Sequence, residues 1–213
     1  MSGSPPAGRN FLACPALTGH GVRPEEDPDV QLMLAVKRDD AAAFEALFRK
    51  HIAPVVGFAL PFVGSRAQAE EVAQEAFAQV YRTRHRYQPH AKFTTWLYRI
   101  VRNLCLSELR RAENRSARVS VSDRTNPEEN ARPVTDQQTQ NQEDALLARE
   151  GISRMQTTLL KLPEQQRSAL MLARVEGLSY QEVAQVLECS VSAVKSLIHR
   201  ATMTIRDELR DMR

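Results

Sequence analysis

Apolar residues recur along much of this chain at helical spacing. Phe44, Leu47/Phe48, Ile52 and Val55/Val56 make one run, and Ala69, Val72/Ala73, Ala76/Phe77 and Val80/Tyr81 make a second, the i, i+3, i+4 signature of an amphipathic helix. No stretch shows sustained strand alternation. Thr94 or Thr95 can cap a third helix that continues to about Arg111. Further helices are predicted over 144–161, 163–175, 179–187 and 191–210, with Pro163 in a first turn and Gly177 at the stop of the same helix. Pro54 and Pro61, with Gly57 and Gly64, predict a break in the first long helix, because proline lacks the amide donor and collides with the preceding turn. From Ser116 to Asp144 the chain turns to Gln, Asn, Thr, Asp and Glu, with Pro127 and Pro133, and cannot bury enough surface to offset its ordering entropy. The expected fold is all-α: a disordered extension over 1–28, a small helical domain over 29–115, a flexible polar linker over 116–143 and a second helical domain over 144–213.

Charge sharpens this division. The 213 residues carry 29 Lys+Arg against 26 Asp+Glu, a net +3. Residues 29–115 hold 14 basic and nine acidic residues, residues 116–145 three and six, and residues 146–213 ten and eight. Two basic blocks therefore flank an acidic one, and Arg82–Arg111 alone has eight cations against Glu108, which suggests a polyanionic partner. No apolar run approaches the roughly 20 residues of a membrane span, and the first 28 residues do not resemble a secretory signal. Membrane insertion is not expected, and the cytoplasm is the default compartment. Cys14, Cys105 and Cys189 are too few and too scattered for a disulfide framework or a zinc cluster, so they read as reduced thiols with no metal. Five scattered histidines, without HExxH, GxxxxGK[ST] or a nucleophile motif, give no support to an enzyme. No catalytic residue, cofactor or small-molecule substrate is expected.

In LSYQEVAQVLECSVSAVKSLIHRA, Ser179 can cap a short helix whose Val183, Ala184 and Leu187 face inward, and Glu188-Cys189-Ser190 makes a turn. The next helix places Val194, Leu197/Ile198, Ala201 and Ile205 on one side and Ser192, Lys195, Ser196, His199 and Arg200 on the other. Small Ala184 permits the close approach that two steeply crossing helices need. This spacing is that of a helix-turn-helix, whose second helix offers donors to base edges and phosphates in a major groove. Glu188 stands in the turn where such motifs often carry glycine.

The segment KFTTWLYRIVRNLCLSELRR places Leu97, Ile100, Val101 and Leu104 on an inner face, with Trp96, Arg99, Asn103, Ser107 and Arg110 opposite. Beside Tyr87 and Phe93, this density of Arg and aromatics suits single-stranded DNA, which needs platforms for unstacked bases and cations along the backbone. In QAEEVAQEAFAQVYR, Glu70, Glu71, Gln74 and Glu75 lie beside an apolar stripe. That acidic row suits a protein partner, since phosphates would repel it.

In this order the three segments resemble the extracytoplasmic-function sigma factors of bacterial RNA polymerase, with residues 29–115 similar to region 2 and 144–210 to region 4. The resemblance implies that Glu70, Glu71, Gln74, Glu75 and Phe77 meet the clamp helices of the polymerase largest subunit. It implies that Phe93, Trp96 and Asn103, with Arg99, Arg110 and Arg111, melt and hold the −10 element, and that the loop Tyr87–Lys92 captures a flipped base. Ser192, Lys195, Ser196, His199 and Arg200 would read the −35 element. An anti-sigma factor is a further implied partner. A rival reading is an ordinary helix-turn-helix regulator, with tight autonomous binding to a palindromic duplex; the aromatic, basic segment 93–111 argues against it.

Overall fold

The computed structural model describes residues 26–119 and 157–210. The proposed disorder of the N-terminal extension and the proposed linker fall, but for a few flanking residues, outside the described residues, as do Cys14 and most of the helix predicted over 144–161. Every regular element among the described residues is helical. Four helices form the first part: α1 (Pro28–Val36), α2 (Ala41–Val63), α3 (Arg66–Thr83) and α4 (Phe93–Val119). In the second, a helical turn at 157–161 leads to α5 (Glu164–Leu170), which runs into a π-helical turn at Met171–Val175, then α6 (Tyr180–Leu187) and α7 (Val191–Arg210).

α2 is the hub of the first part, touching α1, α3 and α4. Asp40 caps it by accepting from the amides of Ala42 and Ala43 at 2.9 and 3.1 Å, and Gly64, at φ 74°, ends it in the left-handed conformation. The expected break at Pro54 and Pro61 does not occur: the helix runs through both. Each proline leaves a carbonyl one turn back without its amide and costs about 3 kcal/mol, but burial of Leu47, Val55, Phe58 and Phe62 returns about 2 kcal/mol per side chain and holds the helix together. α2 also corrects the reading that no segment approaches membrane length. Among the described residues it alone is long and apolar enough to span a bilayer; here it is the core helix of a bundle.

α4 extends beyond the expected stop at Arg111 to Val119. No Pro or Gly interrupts residues 112–119, and the ion pair of Glu108 with Arg111 supports the exposed face. Ser179 caps α6 as expected: its Oγ accepts from the amide of Glu182, whose carboxylate accepts in return from the Ser179 amide at 2.7 Å, a reciprocal capping box. Gly177, at φ 68°, closes the preceding turn. Glu188 adapts to the glycine-like position by taking φ 54°, ψ 43°.

The two parts dock on each other, chiefly through α4 against α6. At the centre of the joint lies Arg167, buried on α5. Its guanidinium donates to the carbonyls of Pro61 (2.9 Å), Leu160 (3.0 Å) and Leu162 (2.9 Å) and stacks on the ring of Phe62. Burial lowers its pKa, with Glu164 acting in the other direction.

Candidate nucleic-acid interface

α7 presents Ser192, Lys195, Ser196, His199 and Arg200 to solvent, while Val194, Ile198 and Ala201 are buried. The sequence-derived faces of this helix are thus those of the structure. Ser190 Oγ accepts from the amide of Ala193 at 3.2 Å and shares a hydrogen bond with Ser192, fixing the helix start. Ala184 is buried at the crossing of α6 and α7, and the Cys189 amide donates to its carbonyl.

Tyr87, Phe93 and Trp96 come together as one aromatic cluster. Tyr87 meets Trp96 edge-on at 4.9 Å between ring centres, and Phe93 lies 6.1 Å from Trp96. Only Trp96 is partly open; Tyr87 and Phe93 are buried. In this conformation those two rings support the tryptophan and present no face of their own. Burial, with the nearby charge of Asp27, raises the Tyr87 hydroxyl pKa.

A buried polar chain anchors the cluster. Asp27 accepts from the Phe93 amide at 3.2 Å and the Asp29 amide at 3.0 Å. Asp29, itself buried, meets His51 Nε2 at 2.9 Å and Lys50 Nζ at 2.7 Å, and the His51 ring lies 5.4 Å from that of Phe93. Sequence periodicity missed this chain: His51 occupies an apolar position of α2, and its partner lies 22 residues away.

The cations near the cluster divide into two groups. Arg110 and Arg111 are exposed, and Asn103 is partly buried. Lys92, Arg99 and Arg102 instead face the second helical part. Lys92 Nζ pairs with Glu182 at 2.8 Å, Arg99 pairs with Glu188, and Arg102 pairs with Glu164. Tyr98, also buried on α4, donates to Glu176. Burial raises the Glu176 carboxyl, partly offset by that hydrogen bond. Burial also works against ionisation of Glu182, but the Lys92 ammonium and the Ser179 hydroxyl and amide outweigh it, so its pKa is lowered.

Elsewhere, Glu70, Glu71, Gln74 and Glu75 form the exposed row expected on α3. Arg66 pairs with Glu70 at 2.9 Å and Arg82 with Glu75. Phe77 is buried and packs against Phe44 and Phe48, so it supports this face from beneath. Beside the row runs an open apolar groove of about 530 Å³, floored by Phe48, Ile52, Val56 and Leu60 and edged by Arg66, Glu70 and Gln74. The periodic apolar run of α2 thus serves two faces, one in the core and one along this groove. Cys105 is wholly buried, and burial pushes its thiol up to about 12. Cys189 is raised by burial and lowered by Arg102, with burial prevailing. Both are free thiols.

A helix-turn-helix on one part and an aromatic, cation-bearing helix on the other define an all-helical protein of two parts, each with side chains of the kind that suit nucleic acid. Residues 47–115 match the family model described as Sigma-70 region 2, and residues 152–205 that described as Sigma-70, region 4. The chain is 35% identical over 191 residues to the RNA polymerase sigma-H factor of Pseudomonas aeruginosa, covering 88% of this chain and 96% of that one. It is 30% identical over 178 residues to the ECF RNA polymerase sigma factor SigW of Bacillus subtilis, covering 83% and 94%. Among solved structures it is similar to CnrH in complex with the cytosolic domain of CnrY, with TM-score 0.66, 24% identity and coverage of 87% and 99%. The chain belongs to the extracytoplasmic-function sigma factors of the sigma-70 family, which are transcription initiation factors rather than catalysts.

Proposed function

We propose that this sigma factor binds core RNA polymerase through α3 and the adjoining groove, reads a −35 element with α7, and holds the opened −10 strand with α4. The observation that carries this assignment is the pairing on one chain of an exposed Lys195/Ser196/His199/Arg200 face with a half-exposed Trp96 braced by two buried rings. Duplex readout requires donors on a helix that fits the major groove. Strand capture requires an aromatic platform near cations. Tethering both to one polymerase raises their effective concentration on a promoter, so neither must bind tightly alone. The nucleotide chemistry belongs to the polymerase, and this chain supplies no catalytic residue, metal or cofactor.

The residue assignments follow the same division. Glu70, Glu71, Gln74 and Glu75 face the polymerase, with Phe77 as their support. Tyr87, Lys92, Phe93, Trp96, Arg99, Asn103, Arg110 and Arg111 serve the −10 element, and Ser192 joins the α7 face. Structural neighbours include the sigma factor RpoE in complex with the anti-sigma factor NepR; an anti-sigma partner for this chain is part of the proposal, as is a cytoplasmic, nucleoid-associated place of work.

Run-off transcription with purified core polymerase on a genomic promoter library tests the assignment. Discrete new start sites sharing upstream −35 and −10 sequences are expected only when this protein is added. Absence of stimulation, with tight duplex binding by the protein alone, would establish the ordinary regulator instead. Lys195→Ala and Arg200→Ala should weaken −35-dependent initiation and leave polymerase affinity unchanged; collapse of that affinity would overturn the division of labour.

A further inference from the structure

We infer that α1 is a splint for the loop that captures the flipped base: Asp27 and Lys37, the residues flanking α1, hold the two ends of Tyr87–Lys92 and act as positioning residues for strand capture. This rests on the reading of that loop and of Trp96 as the site of the opened −10 strand.

Both anchors are bonds to the main chain. Lys37 Nζ donates to the Tyr87 carbonyl at 2.9 Å, where the loop begins. Asp27 Oδ2 accepts from the Phe93 amide at 3.2 Å, where the loop ends and α4 starts. The first amides of a helix have no partner within it, so Asp27 caps α4 from outside, and its charge suits that end of the helix dipole. With its other oxygen it caps α1, accepting from the Asp29 amide at 3.0 Å. One carboxylate therefore starts two helices, and Trp96 stands in the first turn of the second.

The turn after α1 adds a further hold at the near end. Asp39, at φ 68°, pairs with Arg84 at 2.7 Å, and His85 Nδ1 lies 3.2 Å from the Lys37 carbonyl oxygen. Residues 37–39 thus grip residues 84–87, at the entrance to the loop.

A splint must itself be fixed. Val30, Met33 and Val36 are wholly buried, at the spacing of one helix face. Asp29 ties α1 to α2 through Lys50 and His51, at 2.7 and 2.9 Å. From Asp27 to Lys37 the helix forms a rod of about 15 Å, anchored in the core and bonded to the loop at both ends. A loop held in this way loses less conformational freedom when it takes up a base. Its exposed side chains stay out of the frame: Gln88 and His90 face solvent and bond to each other at 2.8 Å. Loop residues are therefore free to set base choice while main-chain atoms hold the loop in place.

Two measurements on the full chain test this. Lys37→Met keeps the apolar stem and removes the donor, and Lys37→Arg restores a donor. Asp27→Ser keeps a cap for α1 and is too short to reach Phe93. In the free protein, hydrogen exchange is followed at the amides of Phe93 and of His90, which donates to the Gln88 carbonyl at 2.9 Å. In the holoenzyme, a pool of random single-stranded 20-mers is retained and sequenced, with core polymerase alone as the baseline. The unsubstituted holoenzyme should enrich a short motif. Lys37→Met and Asp27→Ser should each speed exchange at both amides and weaken that enrichment about fivefold, with polymerase affinity unchanged, and Lys37→Arg should behave as the original. Unchanged exchange overturns the splint. Faster exchange, or a lower melting temperature, with enrichment intact means a merely structural role and overturns the positioning. Absence of enrichment by the unsubstituted holoenzyme overturns the strand reading instead, and exchange then decides the splint by itself.

Discussion

Glu188 takes a backbone conformation that costs an L-residue about 1 kcal/mol or more. Glu188→Gly should therefore stabilise the fold by up to about 1 kcal/mol, seen as a higher chemical denaturation midpoint, because its exposed pair with Arg99 contributes little to set against the strain. A lowered midpoint would show that the pair outweighs the backbone term. Asp29 is the opposite case, a buried carboxylate with His51 and Lys50 on its two oxygens. Asp29→Ala should cost about 3 kcal/mol in a urea titration by leaving His51 buried without its partner. Trp96→Ala removes only a half-exposed ring, so folding should survive. Base stacking on one aromatic is worth about 1–3 kcal/mol, and the loss should appear as impaired strand opening in a permanganate footprint, with closed-complex formation retained. Placement was legible in the sequence where it depends on face and spacing, as for Lys195 or Trp96 on the open sides of their helices. It was hidden where it depends on distant partners, as for Asp29 with His51.

At the scale of elements, periodicity located α2, α3, α4, α6 and α7 and their inner faces but gave no sign of the short α1, and turn chemistry located Ser179 and Gly177. It failed at α2 because local propensity counts the two prolines and does not count the three helices packed around them. It shortened α4 because no residue marks the true end. Capping also makes α6 sensitive to acid. The Glu182 pKa is lowered in the folded protein by Lys92 and Ser179 against the effect of burial, so its contribution to stability is complete above the ordinary carboxylate range and is lost as pH falls through the lowered value. Glu176 acts in the opposite sense, since its raised pKa favours the protonated form as pH falls. Thermal melts should therefore show that Glu182→Gln destabilises at neutral pH and flattens the acid limb of the stability curve. An unaltered acid limb would remove Glu182 from that role.

For the molecule as a whole, two helical parts were legible from the intervening polar stretch and the charge blocks, but their docking was not. The contacts that make it join residues 62, 78, 89 and 106 positions apart, and nothing in composition or local spacing encodes such pairings. Arg167 should be the residue on which the joint depends most, since one guanidinium satisfies three carbonyls from two parts of the chain. Arg167→Ala is expected to split a single cooperative calorimetric transition into two, the signature of parts that no longer melt as a unit. A single transition at lower temperature would mean that the remaining contacts suffice to couple them.

The bond from Arg167 to the Pro61 carbonyl also has a meaning for α2 itself. The last carbonyls of a helix have no partner within it, and a cation there is favourable to the helix dipole. The terminal turn of α2 is therefore finished by a side chain from the far end of the protein. When the two parts separate, that turn loses its cap and should fray, so the backbone amides of residues 62–64 should exchange with deuterium faster in step with separation. The end of one helix thereby becomes a label-free gauge of whether the two parts are docked.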